Sequence, residues 1–212
     1  MLGKTHLAVG LAAPLAIMQP NSIQELLIGV GAAAVGSLIP DIDVGTSDSH
    51  RAADIITTMT VVSIAAVAAA DKIFHAGVAD LIMKQSSIAR LLPCVLIFIV
   101  VCAFGKEQPH RSFMHSVLAM AILSALVGAA LPIASTYFAI GFASHLITDI
   151  FNYKEVKLLY PIKHGIALHM FHATGAANSA LCSVGTILAA AKFLSHLARL
   201  ANVGVGNLFG GM

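Results

Sequence analysis

The 212-residue chain contains no tryptophan, and only 10% of its residues are charged against 58% that are apolar. A soluble domain normally carries about 25% charged residues to cover its surface, so this shortage excludes an ordinary water-soluble protein. A mean hydropathy of +0.89 agrees. The formal net charge is only +2 and no block of basic residues is present, which excludes nucleic-acid binding as a main role. The three cysteines, Cys94, Cys102 and Cys182, are odd in number, lie within apolar segments and lack the close spacing of zinc ribbons. They are read as small core residues. Without tryptophan, Tyr137, Tyr153 and Tyr160 are left to mark the membrane interface. No linker, low-complexity run or internal repeat divides the sequence, so residues 1–212 are read as a single membrane-embedded domain.

What the chain does have is long apolar stretches: Leu7–Met18, Leu26–Ile39, Ile55–Ala70, Leu91–Phe104, Phe113–Leu131, Ile133–Leu146 and Asn178–Ala191. They predict an all-α, multi-pass transmembrane helical bundle of about six or seven helices. Some are short. The stretch between Asp54 and Asp71 would reach roughly 24 Å, under the ~30 Å of bilayer hydrocarbon. Their Ala, Gly and Ser content favours close helix packing. Pro14 is expected to kink the first helix, and Pro132 to mark the turn between the fifth and sixth. Lys4 followed by Leu7–Met18 also has the layout of a signal peptide, but cleavage there would discard His6.

Four polar clusters interrupt these segments: His6; Pro40-Asp41-Ile42-Asp43; His110-Arg111-Ser112-Phe113-Met114-His115-Ser116; and His145-Leu146-Ile147-Thr148-Asp149. Ionisable groups in a membrane are costly, so metal-favouring side chains at segment ends point to function. Alternating the crossings puts all four clusters on the side that holds the amino terminus, an agreement that independent choices of side would give about one time in eight. Basic residues orient the bundle. Lys4, Arg51, Lys106, Arg111, Lys154, Lys157 and Lys163 fall on the clustered side, against Lys72, Lys84, Arg90, Lys192 and Arg199, so that side is expected to face the cytoplasm.

The spacings suit a shared metal. His145 and Asp149, four apart, lie on one helix face about 40° apart in azimuth. Asp41 and Asp43, in a turn after Pro40, can aim two carboxylates at one place. His110 and His115 match poorly on a continuous helix, and work better with His110 in the turn made by Pro109 and His115 on the first helical turns. Taken singly, each cluster has a plainer explanation. His6 suits an interfacial histidine, and Asp41 with Asp43 a cap on a loop that also carries Asp48 and Asp54. His110 and Arg111 suit an interfacial pair, and His145 above Asp149 a structural hydrogen bond. His50 and His75 are read as solvated loop residues. His164, His169 and His172 are placed on a surface segment from which one could join the site. Lys192, His196 and Arg199 form one stripe of the last helix, suited either to anionic headgroups or to snorkelling.

Together the motifs Thr5-His6, Pro40-Asp41-Ile42-Asp43, His110 to Ser116 and His145 to Asp149 resemble the bacterial membrane-bound metal-dependent hydrolases, some of which are under LexA control. The resemblance runs from Met1 to about Lys163. It implies a multi-pass protein of the bacterial inner membrane with metal-dependent hydrolase activity. Where that family commonly has a hydroxyl residue after the last motif, this chain has Phe151-Asn152-Tyr153. The expected ligands are His6, Asp41, Asp43, His110, His115, His145 and Asp149, holding one or two divalent ions, zinc first, with manganese or iron as alternatives. Such ions lower the pKa of bound water from 15.7 to about 7 and polarise an acyl or phosphoryl oxygen. Arg111 is the candidate for holding an anionic substrate, and Asp43 or Asp149 for the general base. A site at headgroup depth suggests a lipid or lipid-linked phosphate as substrate. The rival readings are a non-catalytic metal-stabilised scaffold or sensor, and an ion or proton transporter.

Overall fold

The fold is known from a computed structural model that describes residues 1–43, 49–173 and 175–209. Asp48, and the side chains of His50, Arg51 and Asp54, lie outside the described residues. Eight α-helices are described: α1 (Gly3–Ile17), α2 (Ile23–Leu38), α3 (Ser49–Phe74), α4 (Val78–Gln85), α5 (Ile88–Lys106), α6 (Val117–Ala130), α7 (Pro132–Ile150) and α8 (Ala176–Phe209). A 3-10 helix, Ile39–Asp43, continues α2.

Local chemistry sets several boundaries. Ser22 caps α2 by accepting from the Glu25 N–H at 3.1 Å, and Ser116 caps α6 by accepting from the Ala119 N–H at 3.1 Å. Pro132 occupies the first turn of α7, where its missing N–H costs nothing. Helix α4 was not expected from the sequence. Gly77 turns the chain with φ +75°, and the Asp71 carboxylate accepts from the Val78 and Ala79 N–H groups at 2.7 and 3.0 Å. Val78, Leu81 and Ile82 then pack beside Ile28 and Ala134.

Among the described residues, three stretches are long and apolar enough to cross a bilayer: Ile23–Asp43, Ile88–Lys106 and Ala176–Asn202. Helices α1 and α6, of 15 and 14 residues, reach only about 22 and 21 Å. Helix α5 leaves Leu92, Leu96, Ile99 and Val100 about half exposed or more, an outward apolar face suited to lipid and not to water. The protein is a helical membrane bundle.

The centre of the bundle is the contact of α2 with α7, with α8 laid along α1. Small residues allow it. A methyl group on Gly141 would come within 2.5 Å of the Ala33 carbonyl oxygen, and one on Gly36 would overlap the Phe138 carbonyl. Backbone atoms cannot swing away, so these two glycines fix the separation of the helices. Around this contact Phe138, Phe142 and Leu146 pack with Ile39, Phe113 and Met114.

Three expectations are corrected. Helix α3 has 26 residues and begins at Ser49, so Asp54 and Asp71 lie within it and His50 stands on its first turn instead of in a loop. At about 39 Å it is not short. The stretch Phe113–Ser116 is a succession of turns and not the start of α6: the His115 and Ser116 N–H groups donate to the Ser112 and Phe113 carbonyls, placing His115 in the connection. Finally, His196 does not face outward with the rest of the α8 stripe. His196 is buried and donates to the Leu15 carbonyl at 2.8 Å, and Arg199 donates to the Pro20 carbonyl at 2.5 Å. Leu15 is in the last turn of α1, where carbonyls lack helical partners and the dipole favours donors of positive charge.

The glycine contact gives a direct test. Gly141→Val should lower unfolding stability in detergent by about 1–3 kcal/mol, the usual cost of overpacking. Gly3→Ala, whose added methyl meets nothing within 4 Å, should leave it unchanged. Thermal melts followed by circular dichroism would compare them.

Candidate metal centre

Four elements deliver the polar clusters to one end of the bundle. His6 comes from the first turns of α1, Asp41 and Asp43 from the 3-10 helix, His110 and His115 from the connection before α6, and His145 and Asp149 from the last turns of α7. Asp41, His115, His145 and Asp149 are buried, and one ligand atom from each falls within 4.8 Å of all the others.

Hydrogen bonding determines which atoms face inward. The His145 Nδ1–H donates to the Ser37 carbonyl at 2.7 Å. His115 Nδ1 lies 3.2 Å from Asp43 Oδ2, an acceptor, and so donates as well. The Thr148 hydroxyl donates to the His145 carbonyl at 2.9 Å, leaving its oxygen to accept from His6 Nδ1 at 3.0 Å. In all three rings Nδ1 is committed to an outer partner and Nε2 turns inward, the arrangement that outer-shell acceptors impose on metal-binding histidines.

The inward atoms are closely spaced. His115 Nε2 is 3.3 Å from His145 Nε2, 3.3 Å from Asp41 Oδ1 and 3.5 Å from Asp149 Oδ2. His145 Nε2 is 3.6 Å from Asp41 Oδ1 and 3.7 Å from Asp149 Oδ2. Ligands about 2.0–2.1 Å from a tetrahedral zinc stand roughly 3.3 Å apart, so the donor set fits such an ion. His6 completes the edge of the group: its ring stacks on His145 at 3.7 Å, and its buried Nε2, 3.3 Å from Asp149 Oδ1, lacks a hydrogen-bond partner of adequate geometry. Two facing imidazole lone pairs beside two carboxylates require a positive charge between them. Of the two rings, His115 lies nearer to both carboxylates. Burial alone would lower that histidine's pKa, but hydrogen bonds and charge from Asp41 and Asp43 outweigh burial and push it up to about 9.

The remaining expected residues form a flank. His110 Nδ1 is 2.7 Å from Asp43 Oδ1, so Asp43, His110 and His115 make a second group on the far side of the His115 ring. His110, 36% exposed, is the open edge of the cluster. Arg111 adopts φ +64°, a left-handed conformation that is costly for a side chain bearing a Cβ and is held here by surrounding bonds. Its N–H donates to Asp43 Oδ2 at 3.2 Å, Nη1 donates to the Lys154 carbonyl at 2.6 Å, and Nη2 lies 3.4 Å from Asp149 Oδ2. Arg111 Nε is buried without a partner.

Several supporting residues were not expected. Asn152 donates to Asp149 Oδ1 at 2.7 Å, so an amide holds the carboxylate. The Met1 nitrogen also lies 2.8 Å from that oxygen. Thr148, inside the His-x-x-x-Asp motif, and the Ser37 carbonyl orient rings; a backbone acceptor leaves no signal in side-chain identity. His169 and His172 do not join the cluster. They surround Tyr153, His172 stacked at 4.3 Å and His169 edge-on at 5.8 Å. His75 is exposed in the turn after α3.

A helical bundle that buries interlocked histidines and carboxylates at one end defines a membrane protein equipped with a site able to hold a metal ion. The chain belongs to the YdjM inner membrane protein family, whose model it matches over residues 1–207. It is also 29% identical over 199 residues to a Bacillus subtilis (strain 168) protein named "Uncharacterized protein YvsG", covering 93% of this chain and 96% of that one. No solved structure matches it.

Metal analysis by mass spectrometry tests the centre. Detergent-purified protein should carry metal in stoichiometric amount, falling below about a tenth in His115→Ala and Asp149→Ala. Asp43→Asn, which neutralises the outer carboxylate shared by His110, His115 and the Arg111 N–H, should weaken metal affinity about 10–100-fold without abolishing binding.

Proposed function

We propose that this protein is a membrane-bound metal-dependent hydrolase that cleaves an ester or phosphoester of a lipid or lipid-linked substrate at the membrane surface. One observation carries the reading: three histidines with Nδ1 tied outward converge through Nε2 on two buried carboxylates, with an arginine beside them. Asp41, His115, His145 and Asp149 would hold the ion, with His6 at the edge. Near-tetrahedral spacing and mixed nitrogen and oxygen donors favour zinc, with manganese or iron as alternatives. When bound, the ion supplies Lewis acidity toward water and toward a carbonyl or phosphoryl oxygen.

The protein's own groups divide the remaining work. Asp43, which stands outside the four residues that would hold the ion, is the candidate general base. Its Oδ1, 2.7 Å from His110 Nδ1, can hold a proton and pass it toward the open edge. Arg111, beside Asp149 and with Nε uncommitted, holds the substrate's anionic group. A second reading, a metal-stabilised scaffold without turnover, is favoured by one observation. His115, His145 and Asp149 are at most 1% exposed. Closed donor sets are typical of structural metal sites.

Turnover distinguishes the two. Zinc-loaded protein given a panel of phospholipids and lipid-linked phosphates should release product at least about 10²-fold faster than chelator-stripped protein, and Arg111→Gln should lower kcat/KM by a similar factor while retaining metal. Full metal content with no turnover on any substrate would establish the scaffold.

The excess of basic residues on the clustered side orients the centre toward the cytoplasm. In a variant with its native cysteines replaced, Lys163→Cys should react with an impermeant maleimide only after the inner membrane is opened. Labelling in cells with only the outer barrier opened would reverse the orientation.

A further inference from the structure

Between α7 and α8 the chain runs for more than twenty residues without a regular element, directly beside the metal centre. This segment, 152–173, is nonetheless tied down. Val156 is fully buried, and its backbone exchanges hydrogen bonds with Ile166 at 3.0 and 2.9 Å. The Leu168 N–H donates to the Ile150 carbonyl at 2.7 Å, and the Met170 N–H to the Phe151 carbonyl at 3.1 Å.

With its backbone held, the segment turns large aliphatic side chains outward. Leu159, Ile162, Ile166, Leu168 and Met170 are between 45% and 59% exposed. A cluster of that size facing water would be an aggregation site. It lies, however, at the end of a membrane bundle, where apolar side chains can enter the acyl boundary. The same segment contains three lysines, Lys154, Lys157 and Lys163, against one acid, Glu155, and its Tyr153 is exposed. Outward aliphatics with lysines and an aromatic ring between them match the physics of an interfacial anchor.

Two of those lysines are joined to the site through the backbone. The Lys154 carbonyl accepts from Arg111 Nη1 at 2.6 Å, and the Lys157 N–H donates to the Arg111 carbonyl at 3.0 Å. These bonds hold the Lys154 and Lys157 backbone against Arg111, which adjoins the open edge at His110.

We propose that segment 152–173 is an interfacial anchor that binds anionic phospholipid headgroups and presents their phosphates at the rim of the metal centre. Its aliphatic side chains sit among the upper acyl carbons, and its lysines take the headgroup charge. The presentation to the centre rests on the hydrolase reading; the selectivity for anionic lipid does not.

Native mass spectrometry of the full-length protein in mixed micelles with equal phosphatidylglycerol and phosphatidylcholine tests this. Metal-stripped protein is used so that lipid retention is read apart from turnover. The parent should retain phosphatidylglycerol at least about tenfold over phosphatidylcholine. Each of the three lysines near the surface contributes up to about fivefold, so Lys154→Gln/Lys157→Gln/Lys163→Gln should erase the preference. Lys72→Gln/Lys84→Gln, on the opposite side, should preserve it. If the triple variant fails to fold by circular dichroism, Lys163→Gln alone, at an exposed position, should lower the preference several-fold. Equal retention of the two lipids by the parent, or an unchanged preference in the folded lysine variants, would overturn the anchor. Selective retention without turnover in metal-loaded protein would leave the anchor standing and remove the hydrolase reading.

Discussion

The hydrogen bond from His145 Nδ1 to the Ser37 carbonyl, 2.7 Å long, is where the packing of the bundle becomes the chemistry of its site. Ser37 lies in the last turn of α2, where carbonyls run out of helical partners, and Pro40, three residues on, has no N–H to offer. A carbonyl left free there at membrane depth must find a donor. The close approach of α2 and α7, permitted by Gly36 and Gly141, brings His145 within reach. That bond turns Nε2 toward Asp41, on the same chain segment four residues further along. Separating the two helices by the width of a methyl group would loosen the bond and the ligand group together.

Electrostatics supplies the second constraint. Asp41, Asp43 and Asp149 are buried close together at the end of an apolar bundle, and buried carboxylates of like sign are tolerated only with matching positive charge or donors. Arg111, Asn152, His110 and the inward histidines surround them. The two facing Nε2 atoms leave a place for a cation. A metal ion held there would stabilise the fold through the same contacts that the proposed chemistry requires, which is why hydrolase and scaffold readings share a ligand set and part only at turnover.

The connections contribute as much as the helices. Phe113 and Met114 bury themselves between α5 and α7, with Met114 packed against Gly105, and this anchors the turns that carry His110 and His115. Ser116, part of the recognisable motif, is explained by its role as the cap of α6. The 152–173 segment holds Arg111 by its backbone while turning aliphatic side chains outward, so the rim of the site and the bilayer surface meet in one piece of irregular chain.

By itself the sequence determined the solvent, the helical class and the polar positions that matter, because apolar runs of a dozen residues or more and rare ionisable groups at their ends are local properties of composition. Pro132 as a turn and His145 above Asp149 on one face were legible for the same reason, being set within a few residues. Tertiary structure alone decided that Asp43 and His110 flank the central group, that His115 lies in turns before α6, that α4 exists, and that His196 docks on the end of α1 and Arg199 on the connection after it. Each of these depends on which unsatisfied backbone group or carboxylate a distant segment brings within about 3 Å, and that distance is fixed by how closely the helices pack.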